Sequence, residues 1–253
     1  MSSPPTTYED MTWQEVEKAA SQNYLLILPV GSIEQHGPHL PLSTDVIIPY
    51  EISKALAKRT KAVVAPPIRY GYYSRPKSGG GEGFSGTTSI SATTLIQTLN
   101  EIMKEFIRHG FRKFLILNGH FENFAVLPEG IEKAIDESGR NDIKAVIMSW
   151  GDVLTNEVVL KVFGNEFPGW EKEHAAISET SVMMFLRPDL VRTNQIPDQR
   201  ISRNVNYDII PAPKDTITES GSLWTARPST QEKGEILFNA VVDGLLRVIS
   251  TDF

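Results

Sequence analysis

The chain has no cysteine, which excludes disulfides, thiolate nucleophiles and Cys-ligated zinc. Any metal held by side chains must therefore sit on His, Asp and Glu. Nor is there an excess of positive charge: 25 Lys and Arg against 31 Asp and Glu give a net charge of −6 and a pI near 5.5. That balance offers no electrostatic footprint for nucleic acid or an anionic membrane, so a small-molecule substrate is expected as partner. No apolar run reaches the roughly 18–20 residues that span a bilayer. The opening stretch MSSPPTTYEDMTWQE is polar and acidic and lacks the charged and apolar regions of a secretory leader, so a cytoplasmic enzyme is expected. A G-x-G-x-x-G fingerprint is also missing: Gly31-Ser32-Ile33-Glu34 follows the first apolar run. In Lys77-Ser78-Gly79-Gly80-Gly81 the lysine precedes the glycines, unlike a P-loop. Both features argue against a nucleotide cofactor.

What is present is enough for a full core: 253 residues, 40% of them hydrophobic, read as one domain over 1–253. Short apolar, β-branched runs at 24–28, 62–65, 113–117 and 143–148 read as buried strands. Between them lie helical patterns. The clearest covers 92–109, with Leu95, Leu99, Ile102, Met103, Phe106 and Ile107 on one face, Ser91 as N-cap and Gly110 as the stop. There His109 closes the last turn, where a cation suits the helix dipole and needs no catalytic role. Another helix, over 231–249, follows Ser229-x-x-Glu232, which has capping-box spacing. Helical turns are also read at 46–59, 122–136 and 176–185. Strands alternating with helices predict an α/β fold with a mainly parallel sheet covered on both faces. Residues 191–228, rich in Pro, Asn, Asp and Thr, read as a long surface excursion or an interface. Trp13 and Trp224 read as packing or interface aromatics.

In such sheets ligands gather beyond the carboxyl ends of the strands. Two predicted strands end there in metal-type residues, in LLILPVGSIEQHG and FLILNGHFEN. Within Glu34-x-His36 and His120-x-Glu122 an extended backbone projects a carboxylate and an imidazole to one side. Asp45, just before a helical pattern, adds a third carboxylate. Three carboxylates and two imidazoles exceed what one zinc with an open position needs, but they suit two divalent ions sharing Asp45. An N/O donor set leaves Zn2+ and Mn2+ both open. Either pair alone would more often be a solvated loop or ordinary hydrogen-bond partners.

At these residues the chain resembles the creatininase family of metal-dependent amidohydrolases. The likeness runs in order through LPVGSIEQHG, the Asp45 segment, RYGYYSRPKSGGGEGFSGTTS, RHGFRKFLILNGHFEN, GWEKEHAAISETSVM and STQEKGE, nearly the whole chain. It implies a three-layer α/β sandwich, commonly a homohexamer, with two divalent ions per subunit. One ion would lie on Glu34, Asp45 and His120, the other on His36, Asp45 and Glu122. Within the family, members open creatinine, deformylate a pyrimidine intermediate or cleave a cofactor-precursor peptide, and the remaining motifs resemble the creatinine-opening branch. By that resemblance Trp170 closes over a flat ring, Trp150 is a second wall, Ser78 contacts substrate and His174 handles the ring-nitrogen proton. Glu171 and Glu173 add acidic groups suited to a cationic or neutral ring. Glu122, Glu173 and His174 are the catalytic candidates, with His174 as a general acid working near its own pKa. Together these imply hydrolysis of creatinine to creatine, with another small cyclic amide, a formylated pyrimidine or non-catalytic binding as alternatives.

Three positions depart from the creatinine-opening pattern. Phe121 stands where Tyr is usual, Glu171 where Asp is usual, and Glu82-Gly83 where Asn-His is usual. All three are expected in or beside the pocket, where unpaired polar groups discriminate strongly between substrates. His39 reads as a residue behind the ligands or in packing, and Glu179 as a structural cap or orienting group.

Overall fold

The computed structural model describes residues 6–253 apart from 76, 203–206, 208, 211–212 and 214–215. Four strands, β1 (Leu25–Val30), β2 (Ala62–Val64), β3 (Lys113–Asn118) and β4 (Lys144–Ser149), form a sheet in the order β2-β1-β3-β4. Every pairing is parallel, and Val30 lies opposite Asn118, which lies opposite Ser149. Parallel neighbours need crossovers. The helices are α1 (Trp13–Ser21), α2 (Thr44–Ala57), α3 (Ala92–Arg108), α4 (Leu127–Ser138), α5 (Asn156–Phe163), α6 (Ile177–Leu186) and α7 (Gln231–Asp252).

The period-two alternation of the strands decides which helix covers which face. Leu26, Leu28, Val30, Phe114 and Ile116 pack with Val16 of α1, Leu95, Leu99 and Met103 of α3, and Ile131 of α4. Their neighbours Leu25, Ile27, Leu115 and Leu117 face the other way, onto Ile48 and Ile52 of α2, Val162 of α5, Ile177 of α6 and Leu237 of α7. The result is the expected three-layer α/β sandwich. Each fully buried Leu or Ile contributes about 1.5–3 kcal/mol to it.

Local signals explain most helix limits and correct several. The Ser91 hydroxyl accepts from the Thr94 amide at 3.2 Å, and Gly110 takes φ +104 just past α3. For α7 the cap is Thr230, not Ser229: Thr230 Oγ1 accepts from the Lys233 amide at 3.1 Å, while the Ser229 hydroxyl turns to the Ile177 carbonyl. Residues Phe121–Ala125 form a 3-10 turn, and α4 starts only at Leu127. Both α1 and α5 were unforeseen, although Thr12 and Glu15 form a complete capping box on α1. Trp13 does not pack within the chain; it is 71% exposed. The excursion read over 191–228 lies partly outside the described residues. In its described part Leu223 donates to the His174 carbonyl at 3.1 Å, so the segment runs beside the site. Among the described residues no helix is long and apolar enough to cross a membrane.

Candidate metal centre

Strands β1 and β3 lie side by side, and each is followed by a glycine, Gly31 and Gly119. A Cβ on Gly31 would lie 2.5 Å from the Asp45 carbonyl oxygen, and one on Gly119 would lie 2.1 Å from it. No other residue lets the first turn of α2 rest against both strand ends. That contact delivers Asp45 to the segments following each strand: Glu34 and His36 after β1, His120 and Glu122 after β3.

Asp45 divides its two oxygens between two imidazoles. Oδ1 lies 3.0 Å from His36 Nε2 and Oδ2 lies 3.1 Å from His120 Nδ1. His120 Nδ1 is also 3.0 Å from Glu34 Oε2, and His36 Nε2 is 3.6 Å from Glu179 Oε2. Glu34, Asp45 and His120 can thus converge on one ion, and His36, Asp45 and Glu179 on another; a third grouping is Glu34, His36 and His174. Glu34, His36, Asp45 and His120 are all at most 3% exposed.

The far nitrogens of both rings show which way the lone pairs point. His36 Nδ1 donates to the Glu34 carbonyl and His120 Nε2 to the Tyr72 carbonyl, each at 3.0 Å. In a neutral ring this leaves His36 Nε2 and His120 Nδ1 as the lone-pair nitrogens, each facing carboxylates. Lone pairs opposed to anions repel unless a proton or a metal cation lies between them, and both can occupy this position in turn. His36 Nε2 is buried and faces the carboxylates of Asp45 and Glu179. The residues fit divalent cations with N and O donors.

Electrostatics point the same way. Burial alone would lower His36, yet Asp45 and Glu179 hold it well above the usual histidine range; Glu122 and Glu34 do the same to His120. Burial would raise Asp45, but His36 and His120 keep it well below the usual carboxylate range. Glu34 is raised, because burial outweighs the pull of His120. The cluster demands positive charge.

Glu122 stands elsewhere than the resemblance implied. Its Oε1 accepts from the Arg75 amide at 2.6 Å and the Ser78 hydroxyl at 2.5 Å, and its Oε2 lies 3.4 Å from His120 Nε2. The group that closes on His36 and Asp45 is Glu179, which sequence reasoning had read as structural. Ala175, at φ +51, turns the chain so that its amide donates to Glu179 Oε2 at 2.6 Å. A lone carboxylate in the first turn of a helix, one turn past His174, carries no spacing signal that would have exposed it.

A cavity of about 410 Å³ opens over this cluster. Every predicted substrate residue lines it: Ser78, Phe121, Trp150, Trp170 and Glu171, together with Glu122, Glu173 and His174. Phe167, missed in the sequence, meets Trp170 edge-on at 4.8 Å between ring centroids. Burial and then the charge of His36 push His174 well below the usual histidine range. Its Nε2 sits 2.9 Å from the Gln35 carbonyl. Burial raises Glu173 to about 7; its Oε2 accepts from the Ser178 amide at 2.7 Å while Oε1 is buried without a hydrogen-bond partner. Glu82 does not line the cavity. It clamps the glycine loop instead, accepting from the Ser74 amide at 3.1 Å and the Ser89 hydroxyl at 2.5 Å. The Ser74 hydroxyl in turn bonds Glu34. His39 pairs with Thr180 Oγ1 at 2.8 Å, a role in packing behind the ligands.

Residues 9–249 match the family model of creatininase, described as creatinine amidohydrolase. The chain belongs to the creatininase family. Creatinine amidohydrolase of Pseudomonas putida is 37% identical over 249 residues, 96% of each chain. A mycofactocin precursor peptide peptidase of Mycolicibacterium smegmatis is 30% identical over 87% of this chain and 82% of its own. Among solved structures, a crystal structure of creatinine amidohydrolase superposes with TM-score 0.96 at 36% identity over 99% of both chains. A Zn-Zn form of a mutant creatininase gives 0.95 at 36% identity over 99% of both chains. A mutant creatininase complexed with creatine gives 0.92 at 37% identity over 96% of this chain and 97% of that one.

Proposed function

We propose that this chain hydrolyses a cyclic amide C–N bond, converting creatinine and water to creatine at two divalent ions, Zn2+ or Mn2+. One ion belongs to Glu34, Asp45 and His120. The other belongs to His36, Asp45 and Glu179, in place of the Glu122 that the resemblance implied. The observation that carries the reading is buried Asp45, with one oxygen 3.0 Å from His36 Nε2 and the other 3.1 Å from His120 Nδ1. The creatininase relatives and their zinc and creatine structures support it.

Ions held there supply Lewis acidity toward a carbonyl and lower the pKa of a water. The protein's own residues do the rest. Trp150 and Trp170 flank a flat ring, and the carboxylate of Glu171 at the cavity rim favours a ring carrying partial positive charge. Glu122, oriented by the Arg75 amide and the Ser78 hydroxyl, takes a proton from the attacking water. The departing ring nitrogen needs a proton in return. Glu173, raised to about 7, holds one near neutrality, whereas His174 is neutral there and orients the ring by hydrogen bonding. A single domain over 1–253, a homohexamer and a cytoplasmic setting belong to the same proposal. The exposed Trp13 and the half-exposed edge strand β4 are surfaces that a neighbouring subunit would cover.

The relative that cleaves a peptide, and Phe121 in place of a tyrosine, favour another small amide as the second reading. A panel on metal-reconstituted protein separates them: creatinine, creatine, cyclic ureas and guanidines, and formamides. Creatinine turnover that disappears on chelation is the expected result. Turnover of a different ring alone would replace the substrate and keep the class. No turnover of any amide, with metal bound, would leave a binding protein.

A further inference from the structure

A second cavity, of about 560 Å³, adjoins the first. Phe121, Glu122, Ser149 and Asp152 line both, so the two meet along these residues. Glu34, Asp45 and His120 line the first and not the second.

The far compartment has a distinct chemistry. The Arg75 guanidinium lies 5.4 Å from the centroid of the Tyr72 ring, and its Nη2 donates to the Tyr72 hydroxyl at 2.7 Å. Among the described residues no carboxylate lies within ion-pair distance of Arg75. The two carboxylates on the shared lining are engaged with other groups. Glu122 Oε1 takes the Arg75 amide and the Ser78 hydroxyl, and Asp152 Oδ2 takes the Ser149 amide at 2.7 Å. Phe121 and Phe124 present apolar walls, 47% and 45% exposed. A guanidinium stacked on an aromatic ring spends one of the two Nη2 hydrogens on Tyr72; the other, beside an Nε or Nη1 bonded to no described residue, leaves a paired donor edge that a carboxylate fits.

We propose that this cavity is an anion-recognising extension of the active site. It takes the carboxylate arm of a cyclic amide whose reacting carbonyl sits over the metal cluster, with the methylene linker passing Phe121. The substrate class is then a creatinine-like ring in which a carboxyalkyl group replaces the N-methyl. Hydrolysis itself is unaltered: water places its oxygen on the ring carbonyl carbon, the C–N bond breaks, the nitrogen gains a proton, and the arm is untouched. This rests on the amidohydrolase reading above.

The test measures KM on metal-reconstituted full-length protein for creatinine and for ring analogues bearing a carboxymethyl, carboxyethyl or neutral methoxyethyl arm. The better carboxylate arm is expected to show a KM at least tenfold below that of methoxyethyl. Arg75→Gln should bring that ratio to within twofold of one, and 0.5 M NaCl should shrink it in the unsubstituted protein. Equal KM values, or a preference that neither the substitution nor salt changes, would overturn the proposal. If no ring is opened at all, the amidohydrolase reading fails separately. Calorimetric titration of the ring-opened carboxyethyl product into metal-loaded protein still decides this one: tenfold weaker binding by Arg75→Gln supports it, and equal binding overturns it.

Discussion

Gly119→Ala places a methyl group 2.1 Å from the Asp45 carbonyl oxygen and 2.8 Å from Pro49 Cγ, where ordinary contact begins at 3.4 Å. The end of β3 and the first turn of α2 must part by roughly an ångström to admit it, and overpacking of this kind costs about 1–3 kcal/mol. In a chain of this size that lowers Tm by about 2–4 °C per kcal/mol. The larger consequence is chemical. Asp45 is the carboxylate shared by both imidazoles, and a displacement of about 1 Å in a reacting constellation costs roughly 100-fold in rate. Gly139→Ala is the matched control. Its φ is +65, and its added Cβ would meet nothing within 4 Å; left-handed strain costs about 1–2 kcal/mol far from the site. Calorimetric Tm and kcat on metal-loaded protein should show comparable destabilisation of both variants and a collapse of kcat in Gly119→Ala alone. A Gly119→Ala enzyme within twofold of the parent kcat, or a Gly139→Ala enzyme equally impaired, would refute the argument that the strand-end glycines place Asp45.

Glu179→Gln should retain only one ion per chain after dialysis, whereas Glu122→Gln should retain two and lose turnover; metal analysis giving the reverse would return Glu122 to the ligand set. Burial raises Glu173 from 4.5 to about 7, so the folded protein keeps a proton that the unfolded chain has released. The stability from that proton is full below pH 4.5 and is lost as pH rises through 7, by about 3 kcal/mol. Glu173→Gln should flatten the fall in Tm between pH 5 and 8, and an unchanged slope would contradict the burial argument. In chelated protein His36 and His120 are held above their ordinary 6.5, so their contribution is full below that value and disappears as pH rises through the raised ones. Melts of the chelated form should weaken from pH 6 to pH 9 more steeply than melts of the metal-loaded form; parallel curves would argue against a histidine cluster awaiting cations.

Much of this architecture is legible because one-dimensional patterns dictate it. The β-branched runs became the four strands, and α3 kept its Ser91 cap because periodicity and capping are local. Glu34, His36, His120 and Glu122 could be read as candidates because each pair follows a strand that a parallel sheet must bring to one edge. Other features depend on three-dimensional closure. Glu179 reaches His36 only through the turn at Ala175, about 140 residues from the first ligand pair, and no spacing records that. Glu82 is expected in or beside the pocket because Glu82-Gly83 stands where the creatinine-opening pattern has Asn-His, yet the glycine loop turns it back onto Ser74 and Ser89. The lowering of His174 is equally invisible in sequence, because burial and the neighbouring His36 charge cause it. Short α1 and α5 escaped because few apolar repeats fit in eight or nine residues.

Stoichiometric titration is the most direct test of the shared Asp45 site. Chelated protein receives Zn2+ in fractions of an equivalent while creatinine turnover is followed. The account predicts activity that saturates at two ions per chain in the parent, and Glu179→Gln chains that bind one ion tightly and stay inactive there. Saturation at one ion, or two bound ions with creatinine untouched, would contradict it.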